Sequence, residues 1–399
     1  MERRHIMMLG DKVFYKTLFK NLFSETFELQ LWDGSSEIYG DGIPKFKIIF
    51  NEPIPKSDII NDPSIAFGEG YMTKKFDIHG NIEEVVEALY GNKESFLGST
   101  SKFSHLIKVV KNNLKNSKEN IEFHYDIGND FYKLWLDDTM TYSCGYFKSQ
   151  EDSLTEAQKN KVNHILKKLN LQEGETLLDI GCGWGELIIT AAKMYKVKAT
   201  GITLSTQQFE KVKERIESEG LNALVDVKLI DYRELKDIKF DKIVSVGMLE
   251  HVGKEHLCEY FSAVNKLLNK EGLSLLHCIT NTSDDGVNSW INKYIFPGGY
   301  VPSIQELISN MSDLDFNIID VENLRLHYAK TLECWYDNFQ QALPEIEKNK
   351  DETFIRMWEL YLNSCAASFK SGNINLHQFL FSKGVNNNIP WTREYMYKL

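Results

Sequence analysis

Three glycines at alternate positions, Gly181, Gly183 and Gly185, close the run E-T-L-L-D-I-G-C-G-W-G at residues 175–185. An apolar stretch, Thr176 to Ile180, leads into them, and a helix-forming segment, Glu186 to Tyr195, follows. Strand, glycine turn and helix open a doubly wound nucleotide-binding unit, where the missing Cβ atoms let backbone N–H groups come close to a ligand. A dinucleotide site asks for G-x-G-x-x-G and a carboxylate at the end of the next strand. Here the spacing is G-x-G-x-G, and the next strand, 198–204, ends in Thr203, Leu204 and Ser205 with no acid. A phosphate loop needs G-K-[ST], which is absent. Asp179, in the approach to the loop, repels a pyrophosphate and suits a cationic ligand.

The run D-I-G-C-G-W-G resembles the S-adenosylmethionine loop of class I methyltransferases; the bland alternative is a generic α/β glycine turn. Ligands of open α/β sheets sit at the C-terminal strand ends, so those ends give the candidate residues. The second strand ends at Thr203–Ser205, with Gln208 one helical turn on. The third ends at Asp231 and Tyr232, an acid and an aromatic suited to an adenosine. The fourth runs into Met248-Leu249-Glu250-His251 and the fifth into His277-Cys278-Ile279. Glu250 and His277 are expected to face one another across the crevice. A lone strand-end histidine is most often structural, but one paired with a neighbouring carboxylate beside a cofactor loop points to function.

The elements that must hold these groups alternate strand and helix from about residue 120, which predicts an α/β fold. Strands are expected at 198–204, 223–230, 240–247, 273–279, 316–326 and 377–383, with helices at 207–219, 255–268, 332–342 and 353–369. Residues 1–98 read as a small α+β domain, with strands at 27–32 and 46–50 and a helix at 81–90. Its first 23 residues carry Arg3, Arg4, Lys12, Lys16 and Lys20, with Phe14, Leu18 and Leu22 at helical spacing. That pattern fits a basic amphipathic helix, either on a membrane surface or packed on its own domain. Residues 99–120 are expected to form a linker helix; five lysines and no acid lie in 101–118, so it is either a membrane-surface element or a solvated connector. The third division is 121–399, the catalytic domain.

A net charge of −11 excludes general nucleic-acid binding. No apolar run approaches the roughly 20 residues of a membrane span. The first residues have no signal-peptide core, and the six scattered cysteines form no C-x-x-C pair, which favours a reducing, cytoplasmic setting.

Several further motifs occur in order: H-Y-D-I-G-N-D-F-Y (124–132), Y-S-C-G-Y-F (142–147), G-I-T-L-S-T-Q-Q (201–208), V-G-M-L-E-H-V-G (246–253), Y-I-F-P-G-G-Y-V-P-S (294–303), H-Y-A-K-T-L-E-C-W (327–335) and Y-L-N-S-C-A-A-S-F (361–369). Together with the glycine loop they resemble the cyclopropane fatty acid synthase family over roughly residues 120–385. F-G-E-G-Y-M (67–72) resembles the N-terminal part of its phospholipid-acting bacterial members more weakly. The resemblance implies a class I methyltransferase fold, Rossmann-like with a seven-stranded, mostly parallel sheet, beside the smaller N-terminal domain. It implies transfer of a methylene group from S-adenosylmethionine to the cis double bond of acyl chains in membrane phospholipids. The cofactor would contact Tyr142, Ser143, the loop 177–185 with Asp179, Gly181 and Gly183, then Thr203, Leu204, Gln208, Asp231 and Tyr232. A bicarbonate ion would be held by the backbone at Cys144 and Ile279 and the side chains of Glu250, His277 and Tyr328. Cys365 matches a cysteine once proposed as catalytic in the family, but the plainer reading, a packed thiol on a long helix, is the expectation here. A homodimer, cytoplasmic and peripherally bound to the inner face of the membrane, is also implied. Tyr142, Tyr146, Phe147, Trp290 and Tyr294 are candidate walls of an acyl tunnel.

Overall fold

The structure, a computed structural model, describes residues 2–92, 127–282 and 287–397, with side chains from residue 10 onward. The linker helix expected at 99–120 and the start of the H-Y-D-I-G-N motif lie outside the described residues. The chain forms two compact units.

The first unit comprises the N-terminal residues together with Val287–Ile295 and Trp335–Asn373. Its sheet has four strands, β1 (Phe27–Gln30), β2 (Ser36–Tyr39), β3 (Phe46–Phe50) and β4 (Phe76–His79), in the order β2-β1-β3-β4. β1 and β3 run parallel and the other pairs antiparallel. Alternate residues of β1 and β3 are buried, as a sheet with one covered face requires. The helix Glu2–Lys20 lies in this unit, and its buried face is Tyr15 and Phe19, continued by Leu22. That stripe is one position round from Phe14 and Leu18, which are only partly buried against the same cluster. The Tyr15 hydroxyl fixes the choice, donating to Ile54 O and accepting from Ile54 N. Lys12 and Lys16 pair with Asp33 and Glu37, so those basic residues are matched by acids of the same unit.

The F-G-E-G-Y-M segment lies in the helix Pro63–Met72 of this unit, and its first glycine is a packing requirement. A Cβ at Gly68 would overlap the Trp290 indole, whose Nε1 donates to Met72 Sδ. Gly68→Ala is expected to destabilise this unit by about 1–3 kcal/mol, the usual cost of overpacking. Thermal melts of the two proteins check this; an unchanged melting profile would mean that Trp290 moves aside freely.

The second unit holds the seven-stranded sheet, β5 (Thr176–Ile180), β6 (Lys198–Thr203), β7 (Val225–Leu229), β8 (Phe240–Val246), β9 (Leu268–Asn281), β10 (Phe316–Asn323) and β11 (Ile374–Lys383). The order is β10-β11-β9-β8-β5-β6-β7, with β7 through β9 parallel and β11 antiparallel to both its neighbours. This is the class I methyltransferase architecture expected from the sequence. The order reverses at β5, so the ends of β5, β6 and β8 open a crevice. β5 is buried on both faces, Leu177 in one apolar cluster and Leu178 and Ile180 in the other. Its near-continuous apolar run has this cause.

Candidate active site

β5 stops because the next residues turn left-handed. Gly181, Gly183 and Gly185 have φ of +85°, +54° and +86°. Met248 lies 2.9 Å from the place a Cβ on Gly181 would take, and Val212 3.0 Å from that on Gly185. Gly181 N–H and Cys182 N–H both donate to Ile202 O, which pins the loop to β6.

The cavity beside this loop has a volume of about 150 Å³. Its wall includes all ten residues expected to contact the cofactor, from Tyr142 and Ser143 through the glycine loop to Asp231 and Tyr232. Thr203 Oγ1 donates to Gln208 Oε1 at 2.8 Å and accepts from Ser205 N, while Ser205 caps the helix Thr206–Ser218. Asp231 is gripped by Arg233, with Nε to Oδ1 at 2.8 Å and NH2 to Oδ2 at 2.7 Å. Asp179 is buried, and burial pushes its carboxyl up to about 7 against the pull of Lys161. Tyr132, Trp135, Tyr142 and Trp184 form one aromatic cluster beside the loop. Tyr132 and Trp135 are wholly buried, so that part of the segment is core packing, whereas 139–143 line the cavity.

A second group of polar atoms gathers at the ends of β8 and β9. After Gly247 the chain makes a 3₁₀ turn, Leu249–His251, and Glu250 Oε1 accepts from Ile279 N–H at 2.7 Å. That carboxylate is therefore tied to the strand end that carries His277, two residues back. Gln378 Nε2, on β11, donates to His277 Nδ1 at 3.1 Å. The neutral ring then carries its proton on Nε2. Glu250 Oε2 and His277 Nε2 are both buried without a hydrogen-bond partner. Burial pushes the Glu250 carboxyl up to about 7, with the Ile279 N–H opposing it. Burial also holds His277 far below its ordinary value, reinforced by the charges of Lys161 and Lys168, so the ring stays neutral. One orphaned acceptor and one orphaned donor are what a hydrogencarbonate ion, with an O–H and acceptor oxygens, would satisfy. Ile279 N–H is already engaged by Glu250, so its part is to position that carboxylate.

The remaining expected site residues are more scattered. Cys144 is fully buried, its Sγ 3.1 Å from Gly145 O, and burial drives its thiol well above the ordinary value. Tyr328 lies on the helix Arg325–Gln341, which begins earlier than the sequence pattern suggests. Cys365 is on the helix Glu352–Ser371 and belongs to the first unit. Burial pushes its thiol up to about 12, which leaves no thiolate at neutral pH. Trp290 and Tyr294 also belong to the first unit, where Tyr294 donates to Glu69. Tyr146 is stacked between His164 and His327, at 4.3 and 4.9 Å between ring centres.

The strand-end reading missed Lys161 and Arg233, both on the cavity wall, and gave no role to Met248 and His251, which it had placed after the fourth strand and which also line the cavity. The helix Leu154–Lys168, which carries Lys161, has a readable start: Ser153 and Glu156 form a capping box.

The family model for mycolic acid cyclopropane synthetase matches residues 112–379, and one for a domain of unknown function matches 14–101. A probable fatty acid methyltransferase of Pseudomonas putida is 37% identical over 380 residues, 93% of this chain and 96% of that protein. The cyclopropane-fatty-acyl-phospholipid synthase of Escherichia coli K12 is 45% identical over 271 residues, 68% of this chain and 69% of that one. A crystal structure of a mycolic acid cyclopropane synthase complexed with SAH and CTAB superposes with a TM-score of 0.64 at 36% identity, covering 67% of this chain and 98% of that one.

Proposed function

Because the chain belongs to the mycolic acid cyclopropane synthetase family, a group of S-adenosylmethionine-dependent lipid-modifying enzymes, we propose that it forms cyclopropane rings on unsaturated acyl chains of membrane phospholipids. The observation that carries this reading is a cavity walled by the glycine loop and by the ends of β6, β7 and β8, with Glu250 and His277 on the adjoining strand ends. S-adenosylmethionine, when bound, supplies a sulfonium methyl group electrophilic enough for an isolated alkene. The net change is one CH₂ added to the alkene, with S-adenosylhomocysteine and one proton released. Bicarbonate, when bound, supplies a base for that proton.

The chain's own groups do the positioning. Gly181 and Gly183 would let the backbone close on the cofactor, and Gln208, Asp231 and Tyr232 would hold it in one orientation, so that positioning compensates for the poor reactivity of the alkene. Glu250 Oε2 and His277 Nε2 would hold the ion, with the Cys144 backbone and Tyr328 completing the set. Above about pH 7 Glu250 is a carboxylate able to accept an O–H, and neutral His277 offers its Nε2–H. A buried anion needs such a full set of partners to avoid a large desolvation cost.

The setting proposed is the inner face of the membrane, reached peripherally from the cytoplasm by a homodimer. Among the described residues no helix is long and apolar enough to cross a membrane. The name of the Escherichia coli relative supports phospholipid as the substrate. A second reading, which stops at a methyl or methylene branch on the acyl chain, is prompted by the Pseudomonas putida relative, a probable fatty acid methyltransferase that matches nearly the whole chain. Purified protein, S-adenosylmethionine and unsaturated phospholipid vesicles separate the two. A ring and a methylene branch both add fourteen mass units to the substrate, so proton spectra must locate the ring. Ring protons are expected; branched chains without a ring would establish the second reading.

A further inference from the structure

Two opposite charges on the cavity wall lack an ionic partner among the described residues. Asp179 is 3% exposed and its Oδ1 has no hydrogen bond. Lys161, also 3% exposed, donates from Nζ to the neutral Ser143 Oγ at 2.9 Å and makes no ion pair. The other charges on this wall are occupied or absent. Arg233 is clamped on Asp231, Glu186 pairs with Arg215 at 2.7 Å, and burial lowers His251 to about 4, leaving it neutral.

An ammonium and a carboxylate buried in one cavity would gain most by bonding each other, since each is costly alone. They feel each other's field, and Asp179 is among the acids that oppose the lowering of Lys161 by burial. Yet they form no salt bridge. A wall that keeps one orphaned acceptor charge and one donor charge apart is complementary to a ligand carrying the reverse pair, an ammonium and a carboxylate on one carbon. That is the α-amino-acid end of S-adenosylmethionine, whose adenosine end suits Asp231 and Tyr232.

We infer that Lys161 is the residue that receives the α-carboxylate of S-adenosylmethionine, with Ser143 beside it and Asp179 taking the α-ammonium. This rests on the proposed reading that the cavity binds that cofactor. The plainer role for Lys161 would be to hold Ser143 in place, which predicts no dependence on the ligand's carboxylate.

Calorimetric titration of the full chain with S-adenosylmethionine and with its decarboxylated analogue, which differs only in that group, separates the two roles. Lys161→Met is expected to lose roughly 10- to 100-fold in affinity for S-adenosylmethionine, the range for a charge-assisted hydrogen bond. Its affinity for the decarboxylated analogue should stay within about threefold, because no carboxylate contact is lost. Equal losses for both ligands, or none, overturn the assignment. Should the variant fail to fold, the wild-type protein still decides: it should prefer S-adenosylmethionine by about tenfold or more, and equal affinities overturn the assignment. A wild-type protein that binds neither ligand would instead defeat the cofactor reading, and this inference with it.

Discussion

Replacing Glu250 by Gln is expected to lower ring formation at pH 8 by about a hundredfold or more, the range seen when one preorganised partner of a reacting group is removed. Binding of S-adenosylhomocysteine should stay within about twofold, because Glu250 is not on the wall of the cofactor cavity. The amide oxygen of Gln can still accept from Ile279 N–H, so the 3₁₀ turn keeps its anchor. At the other position, where Oε2 is buried without a partner, the substitution puts an NH₂ donor. The orphaned acceptor becomes a donor, and the O–H of an ion held there would lose its partner. The pH dependence follows from the same group. Burial raises the Glu250 carboxyl to about 7, so the wild-type rate should climb as pH rises through about 7 and the carboxylate forms. The Gln variant should lack that limb. Rates from pH 6 to 8.5 at saturating cofactor, with calorimetry of S-adenosylhomocysteine alongside, check both statements. Near-normal turnover in the variant would remove Glu250 from the mechanism.

Lys168→Met should give the largest loss of stability, about 3–5 kcal/mol, the cost of stripping one partner from a buried ionic cluster. Lys168 is fully buried on the helix Leu154–Lys168 and bonds Glu322 Oε2 at 2.6 Å and Asp320 Oδ2 at 3.2 Å, both on β10. Arg393 holds the other oxygen of Asp320, and His164 Nε2 lies 2.7 Å from Glu322 Oε2. Without the lysine, Asp320 keeps Arg393, and Glu322 keeps only His164 and a 3.3 Å bond from the Tyr397 hydroxyl. At about 2–4 °C per kcal/mol for a unit of this size, the melting transition of the second unit should fall by roughly 6–20 °C. Burial pushes the Glu322 carboxyl up, but the His164 bond and the Lys168 charge outweigh it and hold it at about 2. Its folded value therefore lies below the unfolded one. The stabilisation is present above about pH 4.3 and is lost as pH falls from there towards about 2. Calorimetric scans at pH 7 and pH 3.5 should show the gap between wild type and variant narrowing in acid. A shift under 2 °C at pH 7 would mean the cluster is better solvated than its burial implies.

The part of the site that the sequence announces is the part built from strand ends. Gly181, Gly183, Thr203, Asp231 and Tyr232 lie at or just past the ends of apolar runs, with Gln208 one helical turn beyond Thr203, and a parallel sheet brings such positions to one edge. The N-terminal helix was legible as amphipathic, but its face was not. Phe14-Leu18 and Tyr15-Phe19 are equally good stripes, and only the bonds of Tyr15 to Ile54 select the second. The long helix around Thr353–Phe369 was equally plain, while its assignment to the unit of the N-terminal sheet depends on contacts with residues nearly 300 positions earlier, such as Arg356 with Tyr71 and Phe76.

Local pattern was thus enough to determine a glycine loop between a buried strand and a helix, an α/β alternation, and the placing of Glu250 and His277 near neighbouring strand ends, because each is set by a few neighbouring residues; the cofactor class and the mostly parallel sheet came from the family resemblance. Tertiary structure alone decided which charges go unpaired. A lysine in a helix reads as solvated wherever it stands, and nothing near Lys161 or Lys168 in the chain distinguishes the two. One faces an uncompensated cavity and the other a pair of carboxylates more than 150 residues away, because burial and long-range pairing are properties of the packed molecule.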